Sequence, residues 1–146
     1  MSRRFTLTEA RGLLPHVARL IGEAMSQKSQ YQEAERTIQS FKGRIALLGG
    51  VVVDGTRITE AKTARERCAE RMKETIEEIN SIGCLVKDLD TGLIDFPTLL
   101  RGEEVYLCWK MGESDIEYWH GVHEGFAGRK PITQDFVDHH EGDLPQ

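Results

Sequence analysis

The chain has 146 residues, of which 39% are hydrophobic and 29% charged, the mixture of an ordinary soluble domain. Acidic residues number 24 and basic residues 19, for a net charge of −5, which argues against the basic surface of a nucleic-acid binder. The longest uncharged apolar run, Ile45 to Val53, falls far short of the about 20 residues a membrane-spanning helix needs.

The opening Ser2-Arg3-Arg4-Phe5 has the twin arginines of an export signal. Glu9 and Arg11 interrupt where an apolar stretch would have to follow, so the segment reads as a helix entry. Cys68, Cys84 and Cys108 are odd in number and form no C-x-x-C pair. That pattern predicts reduced thiols and a cytoplasmic setting.

Charge and aromatics divide the chain. Residues 1–82 carry 14 basic and 11 acidic side chains, a net of +3, and residues 83–146 carry 5 and 13, a net of −8. Three of the ten aromatic residues lie in the first part and seven in the second, both tryptophans included.

Thr6-x-x-Glu9 is a capping box with Phe5 placed to staple it, which predicts a helix start. Apolar residues then recur at Ala10, Leu14, Val17, Ile21 and Ala24, and again at Tyr31, Ala34, Ile38, Phe41, Ile45 and Leu48. Steps of three and four are helical. Pro15 lacks the amide that would bond to Arg11, so a kink or restart is expected there. Gly49-Gly50 ends the pattern. A second helix is predicted from about Arg57 to Ile82, with Ile58, Ala61, Cys68, Met72, Ile76 and Ile79 on one stripe and Gly83 as its cap.

The short link between these helices predicts an antiparallel hairpin. Helix one, of about 40 residues, is roughly 60 Å long and helix two, of about 26, roughly 39 Å. Joined at one end, the first helix must overhang the second at the other. The overhang carries Leu13, Leu14, Val17 and Ile21, and the second half of the chain is expected to pack there.

That second half alternates. Cys84 to Lys87 reads as a strand, Asp90-Thr91-Gly92 as a turn, and Leu93 to Phe96 as a returning strand stopped by Pro97. Glu103 to Lys110 is the clearest strand, with Val105, Leu107 and Trp109 on one face and Tyr106, Cys108 and Lys110 on the other. Ile116 to Trp119 could return the chain, and Gly125 to Gly128 forms a tight loop. The fold class is therefore α+β: a long antiparallel two-helix hairpin over 1–82, then a small antiparallel β module over 83–137 packed on it. Residues 138–146 read as a mobile acidic and histidine-containing tail.

The second half resembles a bacterial family known only as domain of unknown function 2203. The matching stretches are Lys87-Asp88-Leu89, Gly92-Leu93-Ile94-Asp95-Phe96-Pro97, Val105-Tyr106-Leu107-Cys108-Trp109, Gly112-Glu113, Tyr118-Trp119-His120 and Gly125-Phe126-Ala127-Gly128-Arg129. The front matches more loosely through Phe5-Thr6-Leu7, Glu9-Ala10 and Leu13-Leu14-Pro15. The resemblance implies no activity, cofactor or catalytic residue.

Several residue groups could carry chemistry. His120-x-x-His123 with Cys108 offers nitrogen and sulfur ligands of the kind zinc takes, although the spacing fits no zinc-protease word; the plain reading is a packed His120 and an exposed His123, with no cofactor. Asp88-x-Asp90 with Asp95 hints at a calcium loop, but Gly92 sits at the wrong step and a hairpin turn is the simpler reading. Cys108 with His120 could form a nucleophilic pair, against which stands an inert buried strand cysteine. Lys87, Asp88, Asp95, Glu113, His120 and Arg129 form either a structural ion-pair web, the favoured reading, or a ligand pocket walled by Trp109 and Trp119. Finally, a two-helix hairpin cannot hide both sides of a core. Phe41, Ile45, Leu48, Val51, Val52 and Val53 near its tip are candidate contacts for self-association into a larger bundle. The leading functional expectation is a non-enzymatic assembly module, with a ligand- or metal-binding β module as the alternative.

Overall fold

The computed structural model describes residues 3–47 and 55–144, with side chains for all of these except residues 44–47. The fold is α+β. Helix α1 spans Leu7–Leu47 and α2 spans Gly55–Ile82. Strands β1 (Leu85–Asp88), β2 (Leu93–Leu100), β3 (Glu103–Lys110), β4 (Tyr118–Gly121) and β5 (Lys130–Pro131) follow, then helix α3 (Gln134–His139) and β6 (His140–Glu141). The strands pair antiparallel in the order β1-β2-β3-β4-β5, and β6 joins the same edge of β2 as β1 does, further along the strand.

The chain divides into two compact units, residues 1–22 with 76–146, and residues 23–75. Both long helices contribute to each. Within the second unit the helices run antiparallel. Arg65 pairs with Glu35 at 2.5 Å, Cys68 Sγ approaches Gln30 Oε1 at 3.9 Å, and the Thr75 hydroxyl approaches Gln27 Oε1 at 3.3 Å. Its buried apolar side chains, among the described residues, are Ala24, Ala34, Ile38 and Cys68.

The first unit shows what starts and stops the helices. Thr6 and Glu9 exchange hydrogen bonds, Glu9 N to Thr6 Oγ1 at 3.1 Å and Thr6 N to Glu9 Oε1 at 3.0 Å, the reciprocal capping the sequence predicts. Helix α1 continues through Pro15 rather than restarting. After α2 the chain turns at Gly83, whose φ of +111° favours glycine. A Cβ there would lie 2.9 Å from Arg3 Cβ and 3.2 Å from Phe5 Cζ, so the close approach excludes a side chain as well.

In this unit His16 faces Glu78 across the hairpin. Residues before His16 meet the β module instead. Phe5 N donates to Pro97 O at 2.7 Å, and Arg11 donates to Ile116 O at 2.9 Å. The Phe5 ring stands edge-on to Phe96, with centroids 5.4 Å apart.

Two features of the sheet differ from the sequence reading. Strand β2 does not stop at Pro97 but runs on to Leu100, with Pro97 opposite Tyr106. The N–H and C=O of a strand residue point to the same side. Since the Pro97 carbonyl accepts from Phe5 rather than from β3, its nitrogen also faces that edge, between the stretches paired to β1 and β6. The missing proton therefore removes no bond to β3. Second, where composition predicts a mobile tail from Asp138, the chain completes α3 and pairs as β6. The Thr133 hydroxyl caps α3 by accepting from Phe136 N, and Phe136 is buried against Trp119. Leu7 N donates to His140 Nε2 at 2.9 Å, and Asp143 N donates to Arg4 O at 3.0 Å. A buried aromatic anchor outweighs the polar composition around it.

Alternation gives the sheet two faces. Ile94, Phe96 and Thr98 of β2, with Val105, Leu107 and Trp109 of β3, share the face that carries Phe5 and Phe136. Asp95 and Pro97, with Tyr106 and Cys108, and His120 of β4, share the other. All of these side chains are buried.

Phe5 is fully buried and touches the start of α1, the end of α2 and β2. Replacing it with alanine is expected to cost about 3–5 kcal/mol, read as a lower urea midpoint at unchanged slope. The amide of Thr6 holds the Glu9 carboxyl below its ordinary 4.5, helped by the Thr6 hydroxyl and Arg3. A carboxyl lowered on folding contributes stability above the unfolded value, and that contribution is lost as pH falls through the folded one. Glu9→Gln is therefore expected to destabilise at neutral pH and to converge with the wild type in acid, as followed by thermal melts across pH.

Candidate functional site

The residues singled out in the second half separate into three groups. Asp95, Cys108 and His120 come together at the middle of the sheet face that lacks Phe5. They stand on adjacent strands, with Asp95 opposite Cys108 in the β2–β3 register and His120 opposite Tyr106 in the β3–β4 register. All three are buried, and a carboxylate oxygen, the thiol sulfur and a ring nitrogen lie within 4.8 Å of one another. His120 Nε2 is 3.0 Å from Asp95 Oδ1, and His120 Nδ1 is 2.9 Å from Gly121 O.

The two contacts constrain where the ring protons can sit. A carbonyl oxygen only accepts, so the contact to Gly121 places a proton on Nδ1. The contact between Nε2 and Asp95 then needs one further proton, shared by the pair. The second carboxylate oxygen, Oδ2, is buried with no hydrogen-bond partner. The Lys87 ammonium lies 3.9 Å from it, at ion-pair range, and also 4.5 Å from the centroid of the Tyr106 ring. Burial pushes the Asp95 carboxyl above its ordinary value, while His120, Cys108 and Lys87 pull it down. Burial, and next the Asp95 charge, push the Cys108 thiol up to about 12. A thiol so placed is protonated at neutral pH and is no nucleophile.

Glu113 and Arg129 form the second group. Arg129 Nη2 donates to both Glu113 oxygens, at 2.6 and 2.9 Å, and reaches Cys108 O at 3.3 Å. Its guanidinium lies over Tyr118 and Phe126, 4.2 and 4.6 Å from the ring centroids. Glu113 also accepts from Lys110 N at 2.7 Å. This pair closes the turn between β3 and β4 and covers one side of the face.

The remaining candidates stand apart. Asp88 is exposed and accepts from Asp90 N within its own turn, while Asp95 is fully buried, so the aspartates do not form a calcium loop. His123 is exposed and Asp95 takes its place beside Cys108 and His120. Trp109 and Trp119 do not wall the polar cluster. Trp109 and the Asp95–Cys108–His120 group lie on opposite faces, and its Nε1 donates to Glu113 O at 2.9 Å. Trp119 packs on Phe136 and under Lys130. Sequence reasoning grouped Asp95 with His120 in the polar cluster and paired Cys108 with His120 separately; it missed that the three meet at one point, because the meeting is set by strand register rather than by spacing.

The fold and this site define an α+β protein with a long helical hairpin and a buried carboxylate–thiol–imidazole cluster on its sheet. The chain belongs to the uncharacterized conserved protein family DUF2203, whose profile matches residues 3–132. No curated protein and no solved structure matches it.

The three cysteines are free and buried, and burial also pushes the Cys84 thiol up to about 12. Iodoacetamide is therefore expected to leave Cys84 and Cys108 unmodified in the folded protein at neutral pH and to label both after denaturation, as counted by mass spectrometry. Rapid, selective alkylation of Cys108 in the folded state would restore the nucleophile reading.

Proposed function

We propose that the protein is a non-enzymatic interaction module that self-associates through its helical hairpin. The observation that carries this reading is the thin core of residues 23–75. Among the described residues of this unit, Ile38 is the one large aliphatic side chain that is buried; the others are Ala24, Ala34 and Cys68. Met25, Tyr31 and Phe41 of α1, with Ile58 and Met72 of α2, remain half-exposed. Full burial of a large apolar side chain contributes about 1.5–3 kcal/mol, so a second hairpin laid on the first would gain what one hairpin alone forgoes. A groove of about 390 Å³ bordered by Ala34, Ala61 and Ala64 offers a place where helices can approach closely.

Of the tip residues, Phe41 is half-buried, with the Arg57 guanidinium 6.0 Å from its ring centroid. The Ile45 side chain, and Leu48, Val51, Val52 and Val53, lie outside the described residues. No helix among the described residues is long and apolar enough to cross a membrane. A cytoplasmic setting belongs to the same proposal, supported by the three free thiols. A second reading, a metal- or small-ligand-binding β module, is favoured by the buried Asp95–Cys108–His120 group.

Light scattering of the full chain tests the assembly. The wild type is expected to weigh a multiple of the 16.5 kDa chain. Tyr31→Asp or Phe41→Asp is expected to shift it to the single-chain mass with helical circular dichroism retained. A wild type that stays at the single-chain mass at the highest attainable concentration overturns the proposal.

A further inference from the structure

We infer that Asp95, Cys108 and His120 form a mononuclear site for a divalent transition metal of the zinc type, with the carboxylate, the thiolate and Nε2 as its three protein ligands. The inference goes beyond the assembly reading and does not depend on it.

Geometry comes first. Zinc bonds of about 2.0–2.3 Å at tetrahedral angles place ligand atoms about 3.2–3.7 Å apart. Nε2 and Oδ1 are already 3.0 Å apart, and all three donor atoms lie within 4.8 Å of one another. Side-chain shifts of at most about 1 Å close the set. The three residues stand on neighbouring strands, so the backbone holds them in place.

A second, independent observation concerns the far side of the imidazole. Metal-bound histidines usually donate their other ring nitrogen to a carbonyl or carboxylate, which sets the tautomer and the ring orientation. His120 Nδ1 has that partner in Gly121 O at 2.9 Å. The nitrogen turned toward the cluster is thus the one available to a metal. The third observation is Asp95 Oδ2, which is buried, makes no hydrogen bond and is met by the Lys87 ammonium only at 3.9 Å. A bound cation would replace that long contact with a direct one.

Charge also balances. Loading displaces the Cys108 thiol proton and the one proton held between Asp95 and His120, both to solvent. What remains is a thiolate, a carboxylate and a neutral imidazole around a dication, a group of zero net charge that a buried site tolerates. Mixed sulfur, nitrogen and oxygen donors suit zinc and cobalt(II) better than magnesium or calcium. Three protein ligands leave a fourth position for water or a small anion. Lys87 is the competitor. Its ammonium answers the Asp95 charge when no metal is bound, and its side chain is 39% exposed, so it can withdraw to solvent.

The test is titration of the chelator-treated full chain with cobalt(II), followed by displacement with zinc. The expected result is one cobalt per chain, with the intense visible bands of a four-coordinate ion and a near-ultraviolet thiolate-to-cobalt band. Cys108→Ser should lose the near-ultraviolet band, and Asp95→Asn or His120→Gln should lose stoichiometric binding. Cys84→Ser and Cys68→Ser should keep all of it. Lys87→Gln should bind several-fold more tightly. Because the wild-type spectrum needs no variant to fold, failure of a substituted chain leaves that measurement decisive. Absence of stoichiometric cobalt and zinc binding by the wild type overturns the inference, as does a thiolate band that survives in folded Cys108→Ser. A wild type that binds no metal, together with a Lys87→Gln variant that loses stability, would assign the cluster to the ion-pair web instead.

Discussion

A carboxylate buried at the centre of a β-sheet is the constraint on which the β module depends. Asp95 is fully buried, and a lone ion in that position would be expelled or neutralised. Its partners come from three other strands: Cys108 on β3, His120 on β4 and Lys87 on β1. Because side chains alternate, slipping β3 or β4 by one residue would send Cys108 or His120 to the opposite face and strand the carboxylate. The polar cluster and the strand register therefore specify each other.

The two faces of the sheet are closed by different means. On one, Phe5 and Phe136 bring apolar rings from the two ends of the chain onto Phe96 and Trp119. On the other, long cationic side chains lie across aromatic rings: Lys87 over Tyr106 and Arg129 over Tyr118. The charged ends reach carboxylates, Lys87 the buried Asp95 and Arg129 the Glu113 of the β3–β4 turn. This explains why a part of the chain with few basic residues places two of its five at the edge of the cluster.

The hairpin follows a different economy of contacts. Among the described residues of 23–75 the buried side chains are few and mostly small, and the cross-helix contacts include an ion pair, Arg65 with Glu35, and polar contacts from Cys68 and Thr75. A half-buried, partly solvent-screened pair of this kind contributes modestly to stability. Its helices gain from continuity with the better packed first unit, since helix propagation is easier than nucleation.

Much of the architecture was legible because it rests on local rules. The capping box at Thr6 and Glu9, the period of three and four through α1 and α2, the glycine at 83 and the alternation of β3 are written in short spacings. The sequence misjudged Pro97 and the tail from Asp138, where a local signal met a non-local partner: Phe5 N on the edge of Pro97, and Trp119 beneath Phe136. It grouped Asp95 with His120 and Cys108 with His120 as separate possibilities, put the tryptophans around the wrong face and did not join the three into one cluster. Sequence by itself determined which segments are helices and strands, since those follow from hydrophobic period and backbone preference. Only the tertiary structure decided which charges are buried together, because strand register joins residues 25 apart, Asp95 and His120, that no local rule connects.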